Sequence, residues 1–219
     1  FSGNLIAEQH RLRHKELIEK EQWSDIYVQP CGETESSGNM EFDRYDNLAT
    51  EYFIACDQAG RVVGVTRSYP TTLPYMISEV FNHLAVDGPT HSEELHELSR
   101  LAIDRDNLSN QARIDVIDAL LLSVLERGLQ RGIKNYITFS YPGIWKITFE
   151  RLNWPMTPAG KERRLADGKS VRAGFIHINQ EVATLIKQNT NITHEVLSFG
   201  EGQSSDHIQG AVFSPGTFV

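Results

Sequence analysis

The sequence predicts a single α/β domain built on a mixed sheet with helices against it. Three observations predict it. Runs rich in Val, Ile, Tyr and Phe appear first as a hairpin and then alternate with helical stretches. Ile114, Ile117, Leu121, Val124, Leu125 and Leu129 recur at helical spacing between a Ser109/Asn110 start signal and a Gly132 stop. Finally, 219 residues at 40% hydrophobic and 23% charged suffice for one sizeable core.

The elements follow in order. Residues 5–22 lack Pro and Gly, are rich in helix formers, and predict an amphipathic helix ending near Trp23. "PCGETESSGNM" (30–40) is a polar loop. "EYFIACD" and "RVVGVTRSYP" flank "QAG" (58–60) as a β-hairpin. "ISEVFNHLA" (77–85) suits a short helix, and "HELSRLAI" (96–103) is the next strand. After the 109–132 helix, "KNYITFSY" is a strand, Pro142-Gly143 a turn, and 144–152 a helix. "AGFIHI" (173–178) is a strand and "QEVATLIKQNT" (180–190) a helix. The last residues, 200–219, are Gly/Ser-rich and read as a loosely held tail on a domain of residues 1–199.

Composition excludes several functions. A formal charge of -8 argues against nucleic acid as a partner. No apolar run approaches bilayer length and no secretory signal is visible, so no membrane insertion and a cytoplasmic location are expected. The chain starts at Phe1 without Met, so a few leading residues are expected to be missing. Cys31 and Cys56 fit a reducing compartment, and the eight scattered histidines suggest no metal site. The charge is uneven: between Lys146 and Arg172, seven basic residues face three acidic ones, a local balance of +4. That stretch reads either as solvated surface or as a dock for an acidic partner.

Some residues look chemical. "MEFDRYD" gathers Glu41, Asp43 and Asp46 before the hairpin, as a solvated loop or as partners for a cation or an arginine. Arg67 shares a strand face with Val63 and Val65. Pointing inward, it needs carboxylates, and Asp43, Asp46 and Glu97 are available; on an edge strand it would be solvated. Glu97 and Arg100 sit in an otherwise apolar strand, three apart. A regular strand puts them on opposite faces. A bulge between them would bring both to one side.

"RLRHKELIEKEQW", "MEFDRYD", "GVTRSYPTTLPYM" and "ELSRLAI" occur here in the order and at the separations found in acyl-homoserine-lactone synthases, the autoinducer synthases of quorum sensing. The resemblance runs from about Arg11 to Ile103 and continues weakly to about residue 178. It implies an N-acyltransferase-like (GNAT-like) fold. It implies an enzyme that joins S-adenosylmethionine to an acyl thioester, usually on acyl carrier protein, and releases methylthioadenosine. It places Arg13 and Trp23 in the adenosylmethionine pocket, with Leu17 where the family has an aromatic. Asp43, Asp46, Arg67, Glu97 and Arg100 fall on the family's active-site cluster, with Glu97 as general base and Asp46 the second candidate.

The acyl arm is then expected between the Leu98–Ile103 and Tyr136–Ser140 strands, near Thr138 and Ser140. Trp145 and Phe149, with Trp154, are walls of that pocket or ordinary core. Acyl-CoA N-acyltransferases of this fold grip pyrophosphate with a Gly-rich loop at a helix start. The equivalent "DRDNLSNQA" (104–112) has no glycine. That favours a carrier-protein donor over CoA, docked at Lys146 and Arg151, although some synthases of this family use CoA. S-adenosylmethionine enters as substrate; no cofactor, no metal and a monomer are expected. The alternatives are a generic acyl-CoA N-acyltransferase and a non-catalytic ligand sensor. A sensor has no use for Glu97, Arg100 and both aspartates together.

Overall fold

The structure is a computed structural model that describes residues 5–22, 38–85, 90–165, 168–190, 192, 196 and 211–213. In chain order its elements are α1 (Leu5–Arg13, continued as a π-helix over His14–Lys20), β1 (Glu51–Cys56), β2 (Val62–Pro70), α2 (Met76–Glu79), β3 (Leu95–Ile103) and α3 (Asn110–Arg131). They continue with β4 (Asn135–Ser140), α4 (Pro142–Trp145, continued as a π-helix over Lys146–Glu150), β5 (Met156–Pro158), β6 (Arg163–Arg164), β7 (Ser170–His177), α5 (Gln180–Asn189) and β8 (Ala211–Phe213). The strand order is β5-β7-β4-β3-β2-β1-β8, with β6 paired to β7. The sheet is mixed: β3–β4 and β1–β8 are parallel, while β4–β7 and β5–β7 are antiparallel.

The chain divides into two compact units: Phe1–Arg67 with Arg100–Leu120 and Val196–Val219, and Ser68–Ser99 with Leu121–Glu195. Strands β2 and β3 each run through both. In the first unit α1 lays Leu12 and Leu17 on Tyr52, Ile54, Cys56, Val62, Val65 and Ala102. Gly64 permits the close approach of α3. A Cβ there would lie 2.4 Å from Val116 Cγ1 and 3.2 Å from both Ile103 Cδ1 and Leu120 Cδ1.

In the second unit β4 pairs with β7 along its full length, from Asn135↔His177 to Ser140↔Arg172. Its parallel ladder with β3 is shorter: Leu95↔Asn135, His96↔Tyr136 and Glu97↔Ile137. Gly132, at φ +70, ends α3 as its position predicts, and Pro142 starts α4 at a first-turn position. Asn179 caps α5 by accepting from Val182 N–H at 2.9 Å.

Three expectations are corrected. The helix expected over 77–85 is only α2 followed by a 3-10 turn at Asn82–Leu84. It breaks because Phe81 leaves helical geometry (φ -120, ψ 29) to place its buried ring 4.4 Å from that of Phe139. The strand expected at 173–178 begins earlier, at Ser170. And β8, on which no strand was expected, pairs with β1 through Phe53↔Ala211, Ile54↔Val212 and Ala55↔Phe213.

Candidate active site

The acidic loop before β1 is folded by its own side chains. Asp43 Oδ1 accepts from Tyr45 N–H at 2.8 Å, and Asp46 Oδ2 accepts from Asp43 N–H at 2.8 Å. These turns aim both carboxylates inward; the Asp43 and Asp46 side chains are 5% and 2% exposed. Three arginines from three elements meet them. Arg13, from α1, donates to Glu41 Oε2 at 2.5 Å and to Asp46 Oδ1 and Oδ2 at 2.7 and 2.8 Å. Arg67, from β2, forks onto Asp43 at 2.7 and 2.9 Å and reaches Asp46 at 2.9 Å. Arg100, from β3, donates to Glu41 Oε1 at 3.0 Å and Asp43 Oδ2 at 2.6 Å.

Among the described residues, three guanidiniums thus face three carboxylates in this buried network. The electrostatics follow. Burial pushes the three acids toward protonation, but the arginines outweigh it and hold all three below the ordinary carboxylate range: Arg100 and Arg13 act on Glu41, Arg100 and Arg67 on Asp43, and Arg13 and Arg67 on Asp46. Tyr52 adds a hydroxyl to Asp46 Oδ1 at 2.8 Å. Burial, then Asp46, raises the Tyr52 phenol above its usual value.

The strand parity problem has a local answer. Arg100 takes φ +59, a left-handed conformation that side chains rarely adopt. One left-handed residue within β3 breaks the regular alternation there.

Glu97 lies three residues before Arg100, in the second unit. It is fully buried. Its Oε2 accepts from Met76 N–H at 3.2 Å and its Oε1 from Ile77 N–H at 2.8 Å. Arg67, for which Glu97 was one of three candidate partners, is held by the two aspartates.

The expected acyl-pocket residues also fall in the second unit. Leu98, Thr138, Trp145 and Phe149 are buried and Ser140 is half-buried. Thr138 sits opposite Gly174 in the β4–β7 ladder. A Cβ on Gly174 would lie 3.0 Å from Trp145 Cη2, so the indole covers the sheet face that carries Thr138. The Trp145 indole N–H reaches Ser140 O and Arg172 O at 3.2 and 3.3 Å, and its ring meets that of Phe149 at a tilt, which in turn meets Trp154 edge-on. Lys146 and Arg151 are exposed. Leu17 packs in the apolar core of the first unit. Trp23 lies outside the described residues.

Sequence reasoning named Glu41 as a possible partner for an arginine without placing it in the site, and it did not find His10. Glu41 bridges Arg13 and Arg100, and its place in the Glu-x-Asp-x-x-Asp pattern was the available signal. His10 donates from Nδ1 to Glu41 O at 2.8 Å and lies 3.8 Å from the Phe42 ring; nothing in its spacing announced that.

The glycine-free stretch after β3 is tied to α1. Asp104 and Asp106 take Lys15 at 2.8 Å each, Asp106 takes Lys20 at 2.6 Å, and Arg105 donates to Glu16 and Glu21 at 2.6 Å each. Glu16, Asp104 and Asp106 are close enough to share a cation, and the ammonium groups of Lys15 and Lys20 already sit on their oxygens. Ser109 Oγ caps α3 through Ala112 N–H at 3.2 Å.

Solved structures of similar architecture define the class. The chain is 25% identical to the CoA-dependent acyl-homoserine lactone synthase BjaI bound to SAM and isopentyl-CoA, with a TM-score of 0.74 over 99% of this chain and 88% of that one. It is 29% identical to TofI in a ternary complex with an inhibitor and MTA, with a TM-score of 0.68 over 83% of this chain and 88% of that one. An isovaleryl-homoserine lactone synthase from Bradyrhizobium diazoefficiens is 33% identical over 157 residues, 71% of this chain and 65% of that one. The architecture is that of an acyltransferase. The chain belongs to the autoinducer synthase family, whose model matches residues 2–184.

Proposed function

We propose that this chain makes an N-acyl-L-homoserine lactone from S-adenosylmethionine and an acyl thioester. The observation that carries the reading is the buried network of arginines and carboxylates. Five positions picked out by motif, Arg13, Asp43, Asp46, Arg67 and Arg100, meet in one cluster inside a chain of the autoinducer synthase family. A solvated loop would not hold three arginines out of water.

The chemistry runs in two steps. The substrate α-ammonium must lose a proton before its nitrogen can attack, and Glu97 takes it. Its two oxygens accept from Met76 and Ile77 N–H, which fixes the carboxylate in the turn. The amine then adds to the thioester carbon. A backbone N–H between Leu101 and Ile103 steadies the oxyanion, and the thiol leaves as the amide forms. In the second step the methionine carboxylate attacks its own γ-carbon, the C–S bond breaks, and methylthioadenosine departs as a neutral thioether. Orientation governs that step more than acid catalysis. Arg13 and Leu17, with Trp23, line the adenosylmethionine site. Arg67 and Arg100 fix the acids, and Asp43 and Asp46 shape the site from the other side of those ion pairs. Leu98, Thr138, Ser140, Trp145 and Phe149 line the acyl chain. The enzyme works as a cytoplasmic monomer without a resident cofactor.

The donor we favour is acyl carrier protein. Support comes from the carboxylates crowded before α3, where a pyrophosphate would otherwise sit, and from exposed Lys146 and Arg151. A CoA donor is the second reading, favoured by the likeness to BjaI. A panel of acyl-carrier-protein and acyl-CoA thioesters with purified enzyme separates them. The carrier thioester should win by at least about tenfold in kcat/KM, with Lys146→Glu raising KM for it alone. The reverse ranking establishes CoA.

Glu97→Gln tests the base. Lactone formation should fall by about 10²-fold or more while adenosylmethionine affinity stays within about twofold. Full activity in this variant would remove Glu97 from the chemistry. Wild-type enzyme that yields no lactone from any donor would remove the function itself.

A further inference from the structure

We infer that the turn at Tyr75–Ile77 is the device that positions Glu97, and that Tyr75 is the side chain that holds it. The inference rests on the base role proposed above. It concerns residues that the chemistry itself never touches.

The terminal torsion of a glutamate is soft, so one hydrogen bond leaves the carboxylate free to turn. Glu97 accepts from two consecutive backbone N–H groups, one on each oxygen. Met76 and Ile77 together tie both carboxylate oxygens to the turn. Glu97 and Ile77 are both 0% exposed and Met76 2%, so water does not substitute for either donor.

A helix of four residues does not hold itself in place. Tyr75 does it from outside. Its ring is fully buried, and its hydroxyl donates to Thr90 O at 3.0 Å and accepts from Thr90 N–H at 3.1 Å. Its own N–H goes to Ser78 Oγ at 3.0 Å, and that hydroxyl returns a bond to Tyr75 O at 2.7 Å. His91 meets the Tyr75 ring edge-on at 5.6 Å and pairs through Nδ1 with Thr71 O at 2.6 Å. Thr71 Oγ1 then donates to Leu95 O at 2.7 Å, two residues before Glu97 on the same strand. The path leaves β3 at Leu95 and returns to it at Glu97, and every link is a short polar contact or a ring contact. Tyr75 is thus a positioning residue acting through two backbone amides.

Tyr75→Phe keeps the ring and deletes both bonds to Thr90. The expected result is a kcat at least about tenfold lower, with KM for adenosylmethionine and for the acyl donor each within about twofold of wild type. The amide proton resonances of Met76 and Ile77 should move upfield, toward their positions in Glu97→Gln. A merely structural tyrosine would lower thermal stability and leave those resonances and kcat in place, and that result overturns the inference. So does a rise in KM with kcat unchanged. If Tyr75→Phe does not fold, Ser78→Ala loosens the same turn from its other side and should show the same kcat loss and amide shifts. Wild-type activity that is lost in Glu97→Gln and kept in full by both turn variants sinks this inference alone.

Discussion

Arg100 carries two burdens at one residue. Its guanidinium closes the network on Glu41 and Asp43, and its backbone sits at φ +59 so that it can do so. A non-glycine residue there costs roughly 1 kcal/mol or more. The two effects separate by substitution. Arg100→Ala leaves Glu41 and Asp43 with an uncompensated buried charge and should lose about 3–5 kcal/mol. Arg100→Gly loses the same ion pairs but relieves the backbone, so it should be about 1 kcal/mol more stable than the alanine variant. Urea denaturation of the two proteins checks this. Equal midpoints would mean that the left-handed backbone carries no strain. This residue also shows what was legible at its scale. Glu97 and Arg100, three apart on an apolar strand, pointed to a backbone irregularity near them, and Arg100 itself is left-handed. Which acid each arginine would take was not legible, since Asp43, Asp46 and Glu97 have the same chemistry and only the loop turns at Asp43 and Asp46 choose between them.

Elements with strong periodicity or clear end signals came through: α3 from its apolar spacing and Gly132, and the β1–β2 hairpin from "QAG". Elements decided by one distant contact did not. Helix α2 stops because Phe81 reaches Phe139, nearly 60 residues on, and the N–H groups of Met76 and Ile77 in its first turn go to Glu97. No window of sequence contains those partners. Strand β8 is three residues long and depends wholly on the edge of β1. The packing of α3 on β2 depends on one small residue in the strand. Gly64→Ala puts a methyl 2.4 Å from Val116 Cγ1. That branched side chain cannot swing clear, so a loss of about 1–3 kcal/mol is expected. Val116→Ala in the same protein should recover part of it. Thermal melts of the single and double variants measure the coupling, and strictly additive losses would rule out the steric account.

At the scale of the molecule, the buried charges predict how stability depends on pH. His10 is buried beside Arg13, and burial first, then that positive charge, lowers its pKa from 6.5 to about 4. Between those two values the unfolded chain binds the extra proton and the folded chain refuses it. Stability therefore rises with pH across that window and is lost on acidification, by at most about 3 kcal/mol for a shift of this size. Glu41, Asp43 and Asp46 behave in the opposite chemical sense but lose stability in the same direction. Their folded values lie below those of the unfolded chain, so their contribution is complete above the ordinary carboxylate range and is lost as pH falls through the folded values. Two stages of acid destabilisation should follow, an upper one from His10 and a lower, steeper one from the network. Asn at position 10 can still donate an amide N–H to Glu41 O but cannot titrate. Urea midpoints measured at several pH values from 7 down to 3 should show the upper stage flattened in His10→Asn and the lower stage unchanged. An upper slope that persists in that variant would mean that another group titrates there. A lower stage lost along with it would mean that His10 and the carboxylates unfold as one coupled unit.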